Sequence, residues 1–210
     1  ATVPEIGMAV VSSEDPDFIS KASKIKGIQS VFPDFEVQGR DPKMEVVALE
    51  GDVGNPPNSL DDDFFFDLQW GHDAVDAPEA WNAGYRGKGV RVFVLDEGID
   101  ATHPDLAPNL NTDLSTSFHP TEDWDVQPGF YFNHGTHVAG TIAAADNGVG
   151  VIGIAPEAEI VAVKVLSEVT GSGQFSWIIN GVIYAANNDA DVINMSLGGS
   201  FLKAFGRDAA

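Results

Sequence analysis

The chain has 210 residues, no cysteine, 32 acidic against 11 basic residues and a formal net charge of −21. Without cysteine neither a disulfide framework nor thiol chemistry is available, and a nucleic-acid partner is excluded because phosphate binding needs clustered Lys and Arg. No apolar run approaches the ~18 residues of a membrane helix, and the amino terminus lacks the basic-then-apolar pattern of an export signal.

Residues 1–66 hold 13 acidic and 5 basic residues, and residues 67–210 hold 19 and 6. The acidity is therefore a general surface property, suited to high solubility, to work in salt or to cation binding. In chain order, residues 5–38 read as strand, helix, strand over 6–11, 15–26 and 28–37. Phe18, Ala22 and Ile25 share a helical face, and Gly27 is a stop signal. Residues 39–66, with Gly54-Asn55-Pro56-Pro57 and Asp61-Asp62-Asp63, form a turn-rich acidic connector, interrupted by an apolar island at 44–49 that suits an extra strand. The run Phe64-Phe65-Phe66 is expected to pack on the domain that follows, and Trp81 and Trp177 to sit in its core.

From Trp70 the pattern changes to strands at 90–95, 160–166 and 192–195, rich in β-branched residues and nearly unbroken in apolarity. Helices are expected between them over 134–145 and 174–188. Strands of this kind are covered on both faces, and the alternation predicts an α/β fold with a parallel sheet and right-handed crossovers. Reactive groups in such sheets collect at the carboxyl ends of strands, where Asp96 and the segments 167–173 and 196–199 fall.

Amide hydrolysis by acyl transfer needs a nucleophile, a base, and a group that fixes the base's tautomer. Asp96 and His134 have the residue types for the last two. A second constellation, His134-x-x-His137 with Asp96, Asp100 and His103, offers nitrogen and oxygen ligands for a metal-dependent hydrolase. Taken alone, His137 reads as a buried, hydrogen-bonded structural residue, whereas His72 and His119 carry no functional signal.

Asp96-Glu97-Gly98-Ile99-Asp100 followed by His103-Pro104-Asp105-Leu106 resembles the catalytic-Asp block of the subtilisin-like serine proteases. His134-Gly135-Thr136-His137-Val138-Ala139-Gly140-Thr141 resembles their catalytic-His block. The segments 150–156 and 163–166, Gly171-Ser172-Gly173, and 192–199 are also similar, in the family's order. The resemblance implies an incomplete three-layer, parallel-sheet catalytic domain over 67–210. Ahead of it would stand a partial α+β ferredoxin-like propeptide over 1–38, acting as folding aid and inhibitor, with processing within the connector.

It further implies that Asp96 is the triad acid and His134 the general base. Gly171, Ser172 and Gly173, with Ser196, Leu197 and Gly198, would bracket an extended peptide as added strands. The implied cofactor is a structural calcium ion held by Asp105, Asn147 and the carbonyls of Ala145, Val149 and Val151. Phe66, Asp67 and Gln69 compete for the upstream ligand position. The implied partners are polypeptide substrates and the chain's own propeptide, and the implied state is a secreted monomer.

Two departures stand out. None of Ser167, Ser172, Ser176, Ser196 and Ser200 has the family's Gly-Thr-Ser-x-Ala context, so residues 1–210 alone are expected to be inactive. A propeptide-bearing, non-catalytic peptide-binding protein is the alternative of another class. Glu97 stands where the family has Thr or Ser, and is expected to strengthen the negative field at His134 and so shift the pH profile or favour basic substrates. A further helix is expected to open at 201–205.

Overall fold

The computed structural model describes residues 2–39, 63–126 and 133–199. The apolar island at 44–49, nearly all of the acidic connector, Ser200 and the helix expected from 201 lie outside the described residues.

At the amino end, β1 (Thr2–Val3) and β2 (Met8–Ala9) form a short antiparallel pair around a 3-10 turn. Helix α1 spans Phe18–Ala22. It is shorter than the expected 15–26, because Asp15 binds the Asp17 amide at 2.9 Å and the Lys21 ammonium at 2.7 Å and so holds a turn ahead of it. The apolar face ends at Ala22, and Ile25 is exposed. The strand expected over 28–37 is confined to β3 (Glu36–Gln38), whose partner lies far downstream.

Two short helices, α2 (Trp70–Ala74) and α3 (Ala77–Asn82), precede β4 (Arg91–Asp96). After it come β5 (Thr116–Ser117), α4 (His134–Ala143), β6 (Glu159–Lys164), β7 (Ser172–Gln174), α5 (Phe175–Asn187) and β8 (Val192–Asn194). Strands β5, β6, β4 and β8 form a four-stranded sheet in that order, and every pairing in it is parallel. Asp96 lies opposite Lys164 at the carboxyl end of the central pair.

Side chains alternate across a strand, and β4 and β6 use both faces. Phe93, Leu95, Val161 and Val163 pack with Ile178 and Ala185 of α5. Val92, Val94, Ile160 and Ala162 pack with Ala139 and Ala143 of α4. The result is three layers, helix on sheet on helix. Each large side chain buried here contributes about 1.5–3 kcal/mol of hydrophobic stabilisation. A third cluster joins Phe66, Ala77, Trp81 and Ile152, to which the buried His72 adds a contact of 2.9 Å between its Nε2 and the Ile152 carbonyl. Of the three consecutive phenylalanines only Phe66 is buried; Phe64 and Phe65 are exposed. Trp81 is in the core, whereas Trp177 is half-buried and meets the His119 ring edge-on at 4.9 Å.

Candidate active site

His134 opens α4, and Asn133 caps the helix by accepting the Thr136 amide at 2.7 Å. The cap satisfies a donor that the first helical turn leaves without an intrahelical partner. It also places the imidazole at the helix end rather than along its side. His134 Nδ1 lies 2.9 Å from each carboxylate oxygen of Asp96, which is fully buried at the end of β4. A carboxylate only accepts, so Nδ1 carries the proton and Nε2 is the basic nitrogen. The histidine side chain keeps 16% exposure against 0% for the aspartate. A buried acid thus orients an imidazole that stays partly open to solvent, an arrangement that suits a general base.

Helix and strand come this close because residue 135 has no side chain. A Cβ on Gly135 would lie 2.2 Å from the Gly98 carbonyl oxygen and 3.2 Å from Asp96 Cβ. Thr136 adds a tie by accepting the Asp100 amide at 2.9 Å. Glu97 is also fully buried, and its carboxylate points to the start of α4, 3.4 Å from the His134 amide. That position favours a negative charge through the helix dipole.

Lys164 is fully buried at the end of β6. Its ammonium donates to the Glu97 carbonyl and pairs with Glu122 at 3.1 Å and Glu168 at 3.4 Å. Burial pushes the Glu122 carboxyl up, but the Ser167 hydroxyl, the Glu168 amide and Lys164 outweigh it and hold the group below the ordinary glutamate value.

His137 is exposed, contrary to the buried role expected for it. The inner face of α4 is Gly135, Ala139 and Ala143, four residues apart, and residue 137 falls on the opposite side of the helix. The set His134, His137, Asp96, Asp100 and His103 does not converge: among the described residues no three His, Asp or Glu side chains are grouped to hold a metal ion.

The two backbone segments expected to bracket a peptide do flank an extended strand, and that strand is β3. It runs antiparallel to β7, with Glu36, Val37 and Gln38 opposite Gln174, Gly173 and Ser172. On its other side Gln38 and Gly198 exchange amide hydrogen bonds of 3.1 and 2.9 Å. Gly39 donates to the Gly171 carbonyl at 2.8 Å. Upstream, Asp34 accepts the Ser176 amide at 3.0 Å and its hydroxyl at 2.5 Å at the start of α5, and Phe35 stacks on Phe175 at 4.4 Å. Ser196 and Leu197 precede the Gly198 bridge without entering a strand.

The described serines after His134 have other partners. Ser167 Oγ donates to Glu122 at 2.7 Å, Ser172 Oγ meets Thr170 Oγ1 at 3.0 Å, Ser176 Oγ donates to Asp34, and Ser196 Oγ accepts from Asn194 at 3.0 Å.

The loop after α4 wraps around Asp105, which is 3% exposed. Asp105 Oδ2 accepts the Val151 amide at 3.1 Å, and its buried Oδ1 receives no hydrogen bond. A Cβ on Gly150, at φ 67°, would lie 2.1 Å from Oδ2. Asn147 Oδ1 accepts the Val149 amide at 2.9 Å, and the buried Asp63 carboxylate lies 3.5 Å from the Asn147 amide. Gln69 instead pairs with both backbone groups of Ile152, Phe66 packs in the core and Asp67 is exposed. Asp63, which sequence reasoning did not consider, is the upstream carboxylate that reaches this loop.

The model of the Subtilase family matches residues 87–209. Subtilisin E of Bacillus subtilis (strain 168) is 53% identical over 132 residues, covering 63% of this chain and 33% of that protein. The major intracellular serine protease of the same organism is 46% identical over 135 residues, covering 63% and 41%. The chain therefore spans about a third to two fifths of the length of these curated relatives. Among solved structures, fervidolysin from Fervidobacterium pennivorans, described as a keratinolytic enzyme related to subtilisin, superposes with a TM-score of 0.68 at 26% identity, over 90% of this chain and 30% of that one. The order of the strands, the paired aspartate and histidine and these matches lead to one conclusion: the chain belongs to the subtilase family.

Proposed function

We propose that this chain is the amino-terminal part of a serine endopeptidase, in which Asp96 orients His134 and His134 takes the proton of a serine supplied from beyond residue 210. The single observation that carries the reading is the Nδ1 contact of 2.9 Å to both oxygens of a fully buried Asp96. Asp96 stabilises the imidazolium as it forms, and His134 Nε2 then returns the proton to the leaving amine. Among the described serines after His134, the hydroxyls of Ser167, Ser172, Ser176 and Ser196 are engaged elsewhere, which supports the expectation that residues 1–210 by themselves are inactive. Loss of a triad nucleophile costs several orders of magnitude in rate.

Residues 171–173 and 196–198 serve as the substrate-binding edges, and β3 occupies them in cis as an inhibitory propeptide tail. Main-chain pairing provides the affinity of such strand addition, and side-chain pockets provide the selectivity. Asp105, Asn147, Asp63 and the carbonyls of Ala145, Val149 and Val151 fit a calcium ion. The donors are all oxygen, and the buried Asp105 Oδ1 receives no hydrogen bond, which a hard cation would satisfy. Bound there, calcium would fix this loop; it takes no part in the proton transfers.

The test is the reading frame beyond Ala210 together with an organophosphonate probe. A Gly-Thr-Ser-x-Ala block whose serine is labelled by the probe, with labelling abolished in His134→Ala, supports the reading. Peptide binding without labelling would favour the non-catalytic alternative.

A further inference from the structure

Glu122 touches neither Asp96 nor His134, yet three donors from the end of β6 and the loop behind β7 converge on it. Its Oε1 accepts the Ser167 hydroxyl at 2.7 Å and its Oε2 the Glu168 amide at 2.9 Å, while the Lys164 ammonium lies 3.1 Å from Oε2. Its own backbone is tied down beside β5: the amide donates to His119 Nδ1 at 3.1 Å, and the carbonyl accepts the Ser117 hydroxyl at 2.7 Å. The carboxylate is thus a fixed point rather than a mobile surface charge.

Ser167 passes the constraint on. A hydroxyl has one proton and two acceptor positions. With the proton given to Glu122, both acceptor positions face the loop, and Oγ receives the amides of Val169 and Thr170 at 3.2 Å each. The Ser167 backbone closes the same loop, its amide donating to the Ser172 carbonyl and its carbonyl accepting the Gly171 amide, both at 2.8 Å. Val169 is 77% exposed and Ser167 5% exposed, so the tip of the loop is held from beneath by polar contacts rather than by packing of Val169.

We propose that Glu122 is a positioning residue for peptide hydrolysis: by fixing Ser167 and Glu168 it sets where Gly171, Ser172 and Gly173 present their backbone groups to an extended peptide. The inference rests on the endopeptidase reading. A glutamine at 122 is nearly the same size but has one acceptor oxygen. Turned one way, its NH2 group meets the Glu168 amide and Lys164. Turned the other way, it meets the Ser167 hydroxyl, which must reverse and give up an acceptor position that the loop amides use. Lys164 keeps the Glu97 carbonyl and the Glu168 carboxylate in either case, so the tie to the end of β4 persists.

The experiment uses the full-length protein with two substrates: p-nitrophenyl acetate, too small to reach the edge, and an internally quenched peptide containing Phe-Glu-Val-Gln-Gly, the sequence of residues 35–39. We expect Glu122→Gln to raise KM for the peptide on the order of tenfold, with kcat and ester hydrolysis within about twofold. Ser167→Ala, which keeps the pair of Glu122 with Lys164, should raise KM in the same way, and the double variant should add little, since both act through one contact. Unchanged KM for the peptide overturns the proposal, and so does an equal loss on ester and peptide, which marks a structural defect reaching the dyad. If Glu122→Gln does not fold, Ser167→Ala decides by the same readings. If the unaltered protein hydrolyses neither substrate, the endopeptidase reading fails instead. Calorimetric binding of acetylated Phe-Glu-Val-Gln-Gly then decides the positioning role without chemistry: weaker binding by the variants supports it, and equal affinity overturns it.

Discussion

Asp96 and His134 meet because three neighbouring choices agree: a strand that ends in a buried acid, an Asn133 cap that begins the helix at the histidine, and a glycine that lets helix and strand touch. The last is the most exposed to test. Gly135→Ala must push the helix off the Gly98 carbonyl, with an expected cost of about 1–3 kcal/mol, read as a lower urea midpoint at unchanged m-value.

Glu122 gives a pH dependence whose sign is fixed. Its folded-state value is depressed from 4.5, so its contribution is fully present above that value and is lost as pH falls below it through the folded value. The groups facing it are Lys164, the Glu168 amide, the Ser167 hydroxyl and, at 3.5 Å, His119. Glu122→Gln is expected to flatten the acid limb of a stability-against-pH curve. A limb identical to that of the unaltered chain would show that Lys164 is compensated elsewhere.

The pairing of Asp96 with His134 was legible through the ordered sequence blocks that resemble the subtilisin-like proteases, because a lone Asp at a strand end and a His at a helix start are weak signals by themselves. His137 was not, since its exposure depends on which face of α4 meets the sheet. Nor was Asp63, whose neighbour Asn147 is 84 residues away in the chain. For Glu97, the structure ties the carboxylate to the helix start, a contact that adjacency to Asp96 alone did not reveal.

Strands β4 and β6 could be read directly, because burial on both faces leaves an unbroken apolar run that needs no partner to be recognised. β3 could be read only in part: the strand expected over 28–37 is confined to 36–38, where residues alternate over just three positions, and its partners lie some 135 residues downstream. The segment is anchored more by caps and packing than by strand length. Asp34→Ala removes the side chain that accepts from Ser176 at the start of α5, worth about 1 kcal/mol. Hydrogen exchange at Gln38, Gly39 and Gly173 is expected to quicken in this variant, while the amides of β4 and β6 keep their protection. Loss of protection throughout the sheet would mean that the segment is part of the core rather than a strand laid on it.

At the scale of the molecule, the described sheet ends at β8, where Val192 is 47% and Met195 46% exposed. Such an apolar edge invites pairing with other chains, so residues 1–210 expressed alone are expected to associate despite a charge of −21; a monodisperse product that melts cooperatively would contradict this. The proposed calcium ion would act at the same scale. An ion bound only by the folded state stabilises it by about 2.7 kcal/mol at a hundredfold excess over Kd. The full-length protein should therefore melt higher with calcium than with chelator, and Asp105→Asn should remove the difference. No difference in the unaltered protein would count against the oxygen cage around Asp105.

The most direct measurement compares peptide hydrolysis by the full-length protein with that of His134→Ala, under conditions where both are folded. The base at His134 predicts a loss of kcat by about four orders of magnitude or more. Hydrolysis that continues at an undiminished rate without the imidazole would contradict the account.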